Sequence, residues 1–481
     1  MLKRILLLIF LILWAAPLFA QSVDTAWVRR YNGPGHFNEL PYSLVVDQHG
    51  NVYVTGRSAP VTGTPWNYDY ATVKYYPNGD TAWVRRYGTT SLNADIPRAV
   101  VVDSSGNVIV AGNVGTIKYD INGNQLWIGQ WGGIDVATDA YMNIYVTGAC
   151  RTDSTSQDYT TIKYYPNGDT AWVRRYDGPP HDTDSPVALA VDRNGNVCIT
   201  GFSFGFSSDR DYATVKYYAS GEFAWARRYN GPGNSWDYPV DIAIDDSGCI
   251  YITGDSDGDS TYFDCATIKY LPNGDISWLI RYNGPGNTWD EVSAIAIDKL
   301  NNIYVTGSLG TIKYDTNGNQ LWKRAYGGLY IALDPCDNIY IVQKSGGAGT
   351  SADYLTIRYS PNGDTCWTRR YNGPGNGGDY PYGIGVDSSG GVFVTGRSLG
   401  FGTSYDYGTV KYVQFVRADA NRTGVVNILD IVYLINFLLR DGPDPIPAPV
   451  VGDADNNSKV DLDDILYLIN YLFKSGPAPS I

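Results

Sequence analysis

Residues 185–229 read SPVALAVDRNGNVCITGFSFGFSSDRDYATVKYYASGEFAWARRY, and their punctuation decides the fold. VALAVD and NVCITG are apolar runs joined by DRNG, where Asp can accept backbone N–H groups and Gly can take positive φ. YATVKYY and FAWARRY follow, joined by ASGE here and by PNGD in sister stretches, and Asn-Gly is the strongest short hairpin signal. The spacing predicts a four-stranded meander. The same text returns around eight tryptophans: Trp27, Trp83, Trp127, Trp172, Trp225, Trp278, Trp322 and Trp367. A TxKY or near match keeps step, ending at Tyr75, Tyr119, Tyr164, Tyr217, Tyr270, Tyr314, Tyr359 and Tyr412. A turn Asp does the same at Asp47, Asp103, Asp139, Asp192, Asp245, Asp298, Asp334 and Asp387.

Four-stranded repeats of about 45–55 residues are the mark of propeller blades. The chain opens with a lone strand around Trp27, and its last unit stops at YGTVKY, residues 407–412, with no tryptophan strand of its own. The first strand is therefore expected to complete the last blade, leaving no unpaired sheet edge. Asp47 and Asp245 lie 198 residues apart, while Asp103 and Asp298, Asp139 and Asp334, and Asp192 and Asp387 each lie 195 apart. Four blades written twice make a ring of eight. The expected fold is all-β, an eight-bladed β-propeller over residues 21–416, followed by a small α-helical calcium-binding module over 417–481.

In TVKYYPNGDTAW, residues 72–83, a two-residue Asn-Gly loop would set Tyr76 against Thr81 and Lys74 against Trp83. The expected contact is a cross-strand cation–π pair worth roughly 0.5–2 kcal/mol. Lys118, Lys163, Lys216, Lys269, Lys313, Arg358 and Lys411 hold the same place. An eightfold contact suits blade cohesion better than one ligand. Recurrence of AWVRRYNGPG (26–35) as AWARRYNGPG (224–233), SWLIRYNGPG (277–286) and CWTRRYNGPG (366–375) then marks copies of a building block. The pattern D…GNVYVTG…DYATVKYYPNGDTAW resembles the SBBP-type β-propeller repeats of secreted bacterial proteins over about residues 22–416. The resemblance implies the fold and no single activity. YDTNGNQLW is similar to the Trp-bearing blades of eight-bladed quinoprotein dehydrogenases, which would imply an oxidase, but the adjacent Cys pair of that family is missing.

Six acids stand twelve residues after a landmark Trp: Glu39, Asp95, Asp184, Asp237, Asp290 and Asp379. If the first strand of each blade lines the axis, these carboxylates either surround one mouth of the channel, where they could hold a cation, or tie down the NGPG loops. DSDGDSTYFD, residues 255–264, spaces Asp255, Asp257 and Asp259 like the opening of a calcium loop, with Ala266 at the twelfth place. Trp66, Trp236 and Trp289 in the variable loops suit stacking on sugar rings or covering of blade edges. Hydrolysis would need a nonrepeated pair of carboxylates or a Ser, His and Asp set, and His36, His49 and His181 fall in no such motif.

MLKRILLLIFLILWAAPLFA, residues 1–20, has the build of a signal peptide, with Lys3 and Arg4 before an apolar run and a small residue before the expected cut after Ala20. The mature chain is expected outside the cell or at its surface, with no later membrane span. A net charge of −13 argues against nucleic acid, whose phosphates need clustered Lys and Arg. The six Cys are scattered singly, without zinc or redox spacing, and are read as mostly small buried residues.

After Arg417 the text changes to ADANRTGVVNILDIVYLINFLL, a Pro-rich spacer, and GDADNNSKVDLDDILYLINYLF. Each copy is an Asp/Asn-rich loop before an amphipathic helix. Places 1, 3, 5, 9 and 12 carry Asp419, Asn421, Thr423, Asn427 and Asp430 in the first loop, and Asp453, Asp455, Asn457, Asp461 and Asp464 in the second. Backbone carbonyls of Val425 and Lys459 would serve at place 7, giving Ca2+ its six to eight oxygens at two sites. Ile431, Leu434, Ile435 and Leu438 are expected to pack on Ile465, Leu468, Ile469 and Leu472. The tandem resembles the type I dockerin module, an EF-hand-like unit with Asp at place 12, and differs from it at Thr423 and Ser458. The resemblance implies docking onto a cohesin-like protein in a cell-surface assembly. The expected function is a non-enzymatic recognition or scaffold ring tethered by its tail, with a polysaccharide or protein as ligand on the ring. The alternative is a polysaccharide-degrading enzyme docked by the same tail.

Overall fold

The computed structural model describes residues 22–60, 67–89, 94–151, 156–206, 209–258, 262–286, 288–347, 351–415, 418–420, 426, 428–440, 442–445, 451–455, 457 and 459–474. The chain divides into two compact units: Ala26–Lys411, and a second that contains two helices.

The strands of the ring form eight sheets of four, seven of them meanders in sequence order. The unit read above gives Asp184–Val191, Val197–Phe204, Arg210–Tyr217 and Phe223–Tyr229. First strands of successive sheets neighbour one another all the way round, and Tyr380–Val386 of the eighth returns to Leu40–Val46 of the first. One sheet departs from sequence order: its outermost strand is Ser22–Tyr31, paired with Tyr405–Phe415. The N-terminal strand thus completes the last blade, as expected. The duplication is visible in strand lengths. Val108–Gly112, Gly115–Tyr119 and Gln125–Gly129 are short, and so are their counterparts Ile303–Gly307, Gly310–Tyr314 and Gln320–Arg324.

Layers between blades are built from the second and third strands, whose Val, Ile and Tyr residues are almost wholly buried, as in Val52, Val54, Val73 and Tyr75. Buried threonines pair across them, Thr55 with Thr72 and Thr253 with Thr267, each at 3.0 Å. Every first strand with a preceding proline or its equivalent bulges there: Pro41 faces Gly56 and Ser43 faces Thr55, leaving Tyr42 unpaired. Gly56 allows this, because a methyl group on it would come within 2.2 Å of the Leu40 carbonyl oxygen.

Two sequence expectations are corrected by the hairpins. The turn is not a two-residue Asn-Gly loop. Gly79 N–H donates to the Tyr76 carbonyl and Tyr76 N–H to the Asp80 carbonyl, so Pro77 and Asn78 are the central pair and Gly79 follows with φ +89°. Thr81 accordingly faces Tyr75, not Tyr76. A register shift between Lys74 and Tyr75 restores the expected Lys74–Trp83 pairing. That pair is adjacent but is not the cation–π contact. Lys74 lies over Tyr53 of the second strand, 5.1 Å from the ring centre, and Trp83 carries Arg85 at 5.6 Å. Lys74 is directly opposed to both Tyr53 and Trp83, and its ammonium takes the ring on the second strand.

The second unit contains the helices Ile428–Arg440 and Leu462–Lys474. Ile431, Leu434, Ile435, Leu438, Ile465, Leu468, Ile469 and Leu472 share one apolar cluster, as the spacing predicts. No described helix is long and apolar enough to cross a membrane. The segment 1–20 read as a signal peptide lies outside the described residues. Cys198, Cys249 and Cys265 are buried, but Cys336 and Cys366 are exposed, a correction for those two; all six are free.

Candidate functional site

The repeated motif is used up by joints between blades. Trp27 Nε1 donates to the Pro77 carbonyl of the next blade's hairpin at 3.0 Å, and Trp83, Trp127, Trp172, Trp225, Trp278 and Trp322 repeat the bond at 3.1–3.2 Å. Lys74 reaches the same Ile121 carbonyl as Trp83. The first Arg of the doublet adds a bond to the hairpin glycine: Arg29 to Gly79 at 2.6 Å, Arg227 to Gly274 at 2.8 Å. The Trp ring lies flat on that glycine, where a methyl group would come within 2.8 Å of it. The second Arg works inside its own blade. Arg228 holds Asp211 of the third strand at 2.7 Å and also donates to Ser203 of the second. Arg30–Asp406, Arg86–Asp69, Arg281–Asp264 and Arg370–Asp353 repeat this ion pair. Arg30 makes it across the closure, tying the first strand to the last blade.

The six acids that follow the motif are buried and are not a ring around the channel mouth. Asp237 accepts from Gly231 N–H at 2.6 Å and Ser256 Oγ at 2.5 Å, and Asp184, Asp290 and Asp379 take the equivalent loop N–H. Asp95 accepts from Thr89. They tie down the loops. Burial pushes the Glu39 carboxyl up to about 7 and that of Asp237 to about 6. The calcium-like spacing at Asp255 and Asp257 falls in the strand Ile250–Asp257, and Asp255 accepts from Val292 N–H of the next blade at 2.9 Å. Asp259 lies outside the described residues, as does Trp66.

Trp236 and Trp289 are half exposed, on loops at the end of the ring opposite the hairpins. Arg210 lies over Trp236 at 4.7 Å, whose Nε1 donates to Asp209, and Trp289 meets Phe263 edge-on at 5.5 Å. Phe206 and Phe401 are 83% and 86% exposed in loops of the same end, an apolar surface that nothing in the repeat requires.

Sequence reasoning missed two carboxylates in first strands, Asp135 and Asp241, both four residues before a turn Asp. Sister copies carry Ser43, Ala99, Ala188, Ala294, Tyr330 and Gly383 there. Comparing that single place across the eight copies would have found them. Asp135 accepts from Val136 and Leu189 N–H groups at 2.8 Å each, and Asp241 from Ile242 and Ile295 at 2.9 and 3.0 Å. Burial pushes the Asp135 carboxyl up to about 7, with the Asp241 charge adding to it, and burial pushes Asp241 up to about 6. Asp241 lines a cavity of about 200 Å³ together with Tyr42, Ile295, Tyr330, Tyr382 and Ile384, from the first strands of five of the eight blades.

In the second unit, carboxylate oxygens of Asp453, Asp455 and Asp464 lie within 4.8 Å of one another. Asn457 N–H donates to Asp453 and Asp455, Lys459 N–H to Asn457, and Asp461 N–H to Asp464 at 2.8 Å, which curls the loop around them. Asp461 turns an oxygen to Asp463 N–H at the helix start instead, in the manner of an N-cap. Burial raises the Asp464 carboxyl. An all-oxygen set of this charge fits a hard cation, which would supply the positive charge that holds the three carboxylates together. In the first loop Asp419 and Asp430 are buried. Asn421, Thr423, Val425 and Asn427 lie outside the described residues, as does Ser458.

Eight four-stranded sheets, a strand exchanged between the chain's ends and joints repeated from blade to blade define a β-propeller repeat protein. The β-propeller repeat family SBBP matches residues 224–260 and 367–402. No curated protein matches the chain. Its fold is similar to that of a crystal structure of a protein of unknown function from Bacteroides caccae (12% identity, 56% of this chain and 92% of that one, TM-score 0.35). It is also similar to one from Dyadobacter fermentans (10%, 81% and 98%, TM-score 0.41). A third is PorZ, described as an essential bacterial surface component of the type-IX secretion system of Porphyromonas gingivalis (14%, 80% and 59%, TM-score 0.39). Likeness at this level bears on neither ligand nor activity.

Proposed function

We propose that the protein is exported and acts as a rigid, non-enzymatic recognition or display ring, held to a partner by a calcium-ordered tail. One observation carries the reading: the repeated residues are spent on joints, and what stands outside the repeat is a rim of exposed aromatic side chains. Phe206, Trp236, Tyr262, Trp289 and Phe401 offer flat apolar faces suited to a polysaccharide or a protein surface. Leu429, Val432, Leu439, Leu462, Leu466 and Phe473 are exposed on the two helices, which supports docking of the tail on a cohesin-like protein or cell-surface assembly. The oxygen set at Asp453, Asp455 and Asp464 supports calcium as the ion that orders it. Binding of the full chain to a glycan array, with and without calcium, is the test. Binding lost in Trp236→Ala and Trp289→Ala supports the rim as the recognition surface; undiminished binding in both variants contradicts it.

A second reading, a polysaccharide-degrading enzyme docked by the same tail, is favoured by the nonrepeated carboxylates Asp135 and Asp241 beside the channel. Both carboxyls are raised by burial, which suits the acid of general acid/base hydrolysis. Against it, each is already held by two backbone N–H groups, as Ser43 is by Val100 N–H at 3.3 Å. Release of reducing sugar that vanishes in both Asp135→Asn and Asp241→Asn would favour the enzyme.

A further inference from the structure

One joint of the ring is written differently from its sisters. Where Ser58, Ser203, Ser256, Ser345 and Ser398 stand, the third blade has Cys150, and where Asn32, Asn230, Asn283 and Asn372 open the next loop it has Asp177. The consequence is local. Arg175, the counterpart of Arg228, is exposed and donates to Cys150 Sγ at 3.9 Å. A thiol is a poor acceptor, so the guanidinium is not drawn inward as it is by a serine hydroxyl. It makes no ion pair with Asp158, the counterpart of Asp211. Asp158 is only 5% exposed. Its Oδ1 has no hydrogen-bond partner, as in Asp211 and Asp406, but in those sisters Oδ2 takes the arginine, and at Asp158 no arginine does.

A buried carboxylate stripped of its arginine is costly unless something else meets its charge. Here two more acids approach it instead. One oxygen each from Asp158, Asp177 and Asp184 lie within 4.8 Å of one another. We propose that Asp158, Asp177 and Asp184 form a site for a hard divalent cation, of which calcium is the type, bound by oxygen and replacing the arginine of the sister joints. Burial and then the Asp177 charge raise the Asp158 carboxyl against the opposing pull of Arg175 and His181, and burial raises that of Asp184. Asp184 also accepts from Gly178 N–H at 2.5 Å, and His181 Nδ1 lies 2.6 Å from Asp177 Oδ2 at the exposed side. The cation would fix the loop between the third and fourth blades, on the same end of the ring as the exposed aromatics.

Cys150→Ser with Asp177→Asn rewrites the joint in residues the sister joints already use, so folding is kept. Calcium bound by the full chain is counted by equilibrium dialysis and titration calorimetry, for the wild type, this double variant, Asp158→Asn and the tail variant Asp453→Asn/Asp464→Asn. The double variant and Asp158→Asn are expected to bind one ion fewer than the wild type, or to hold it at least tenfold more weakly, and the tail variant to keep that ion. Equal stoichiometry and affinity in wild type and double variant overturn the site while leaving the tail's calcium untouched. Zinc taken in preference to calcium overturns the oxygen-only assignment. Calcium lost from the tail variant alone speaks to the tail and against this site.

Discussion

The joints at Arg228 and Arg175 occupy the same place in neighbouring blades and are built to different ends. At the first, the Arg228 guanidinium, Ser203 and Asp211 close into a neutralised, half-buried cluster. At the second, one serine has become Cys150 and one asparagine Asp177, and three carboxylates face one another with the arginine turned away. In a repeat protein the sister copy is a built-in control. What all copies share is explained by the ring, and a departure that leaves a buried charge unmet points to something outside it.

The difference can be broken from either side. Arg228→Ala should cost about 2–3 kcal/mol, because it strands the buried Asp211, whereas Arg175→Ala should change stability by less than about 0.5 kcal/mol in calcium-free buffer. Urea unfolding of the two variants checks this, and equal losses would erase the contrast. Cys150→Ser alone should draw Arg175 onto Asp158 and stabilise the calcium-free ring by about 0.5–1.5 kcal/mol.

A smaller effect separates these acids from the turn acids. Glu39, Asp135, Asp237, Asp241 and Asp255 have carboxyl groups raised above their unfolded values, chiefly by burial. The folded ring therefore holds protons that the unfolded chain has released, and their contribution falls as pH rises from about 4 to about 7. Asp103, Asp245 and Asp298 are lowered despite burial, by hydrogen bonds from their own turns and, for Asp103 and Asp298, by the neighbouring Lys, so their contribution is lost only below about pH 4. Thermal unfolding should thus be highest near pH 5 and fall toward pH 7.5. The double variant Asp135→Asn/Asp241→Asn should flatten that slope, and an unchanged slope would show that other groups set it. For the calcium-bound tail proposed above, the second loop offers four carboxylates against two in the first, so Asp464→Asn should weaken calcium binding more than Asp430→Asn does.

Much of the ring was legible in the chain because its signals are local and written eight times. Turn aspartates, hairpin glycines and the Lys–Trp register can be counted along the sequence, and the missing strand at residue 412 announces its replacement at Trp27. The partners across blades were not legible. Trp27 meets Pro77 and Arg29 meets Gly79 only after the sheets have twisted and stacked. Within a sheet, register places Lys74 opposite two rings, Tyr53 and Trp83, and does not choose between them. The buried loop acids were visible as a pattern with two readings, and hydrogen bonds to the Gly178, Gly231 and Gly373 N–H groups decide between them. Asp135, Asp177 and Asp241 escaped because periodicity directs attention to what repeats, and each is an acid at a place most of its sisters fill differently; Asp158 is itself repeated, and only its surroundings differ.

The ring stands or falls on its closure, and Trp27 tests it most directly. A tryptophan near a chain end would ordinarily be forgiving, since terminal strands fray. As the girder that joins the last blade to the first, Trp27 is only 7% exposed and should matter as much as Trp225 in mid-chain. Urea unfolding of Trp27→Ala and Trp225→Ala should show losses of about 3–5 kcal/mol in each, equal to within about 1 kcal/mol. A Trp27→Ala ring as stable as the wild type, beside a crippled Trp225→Ala, would contradict a closed ring.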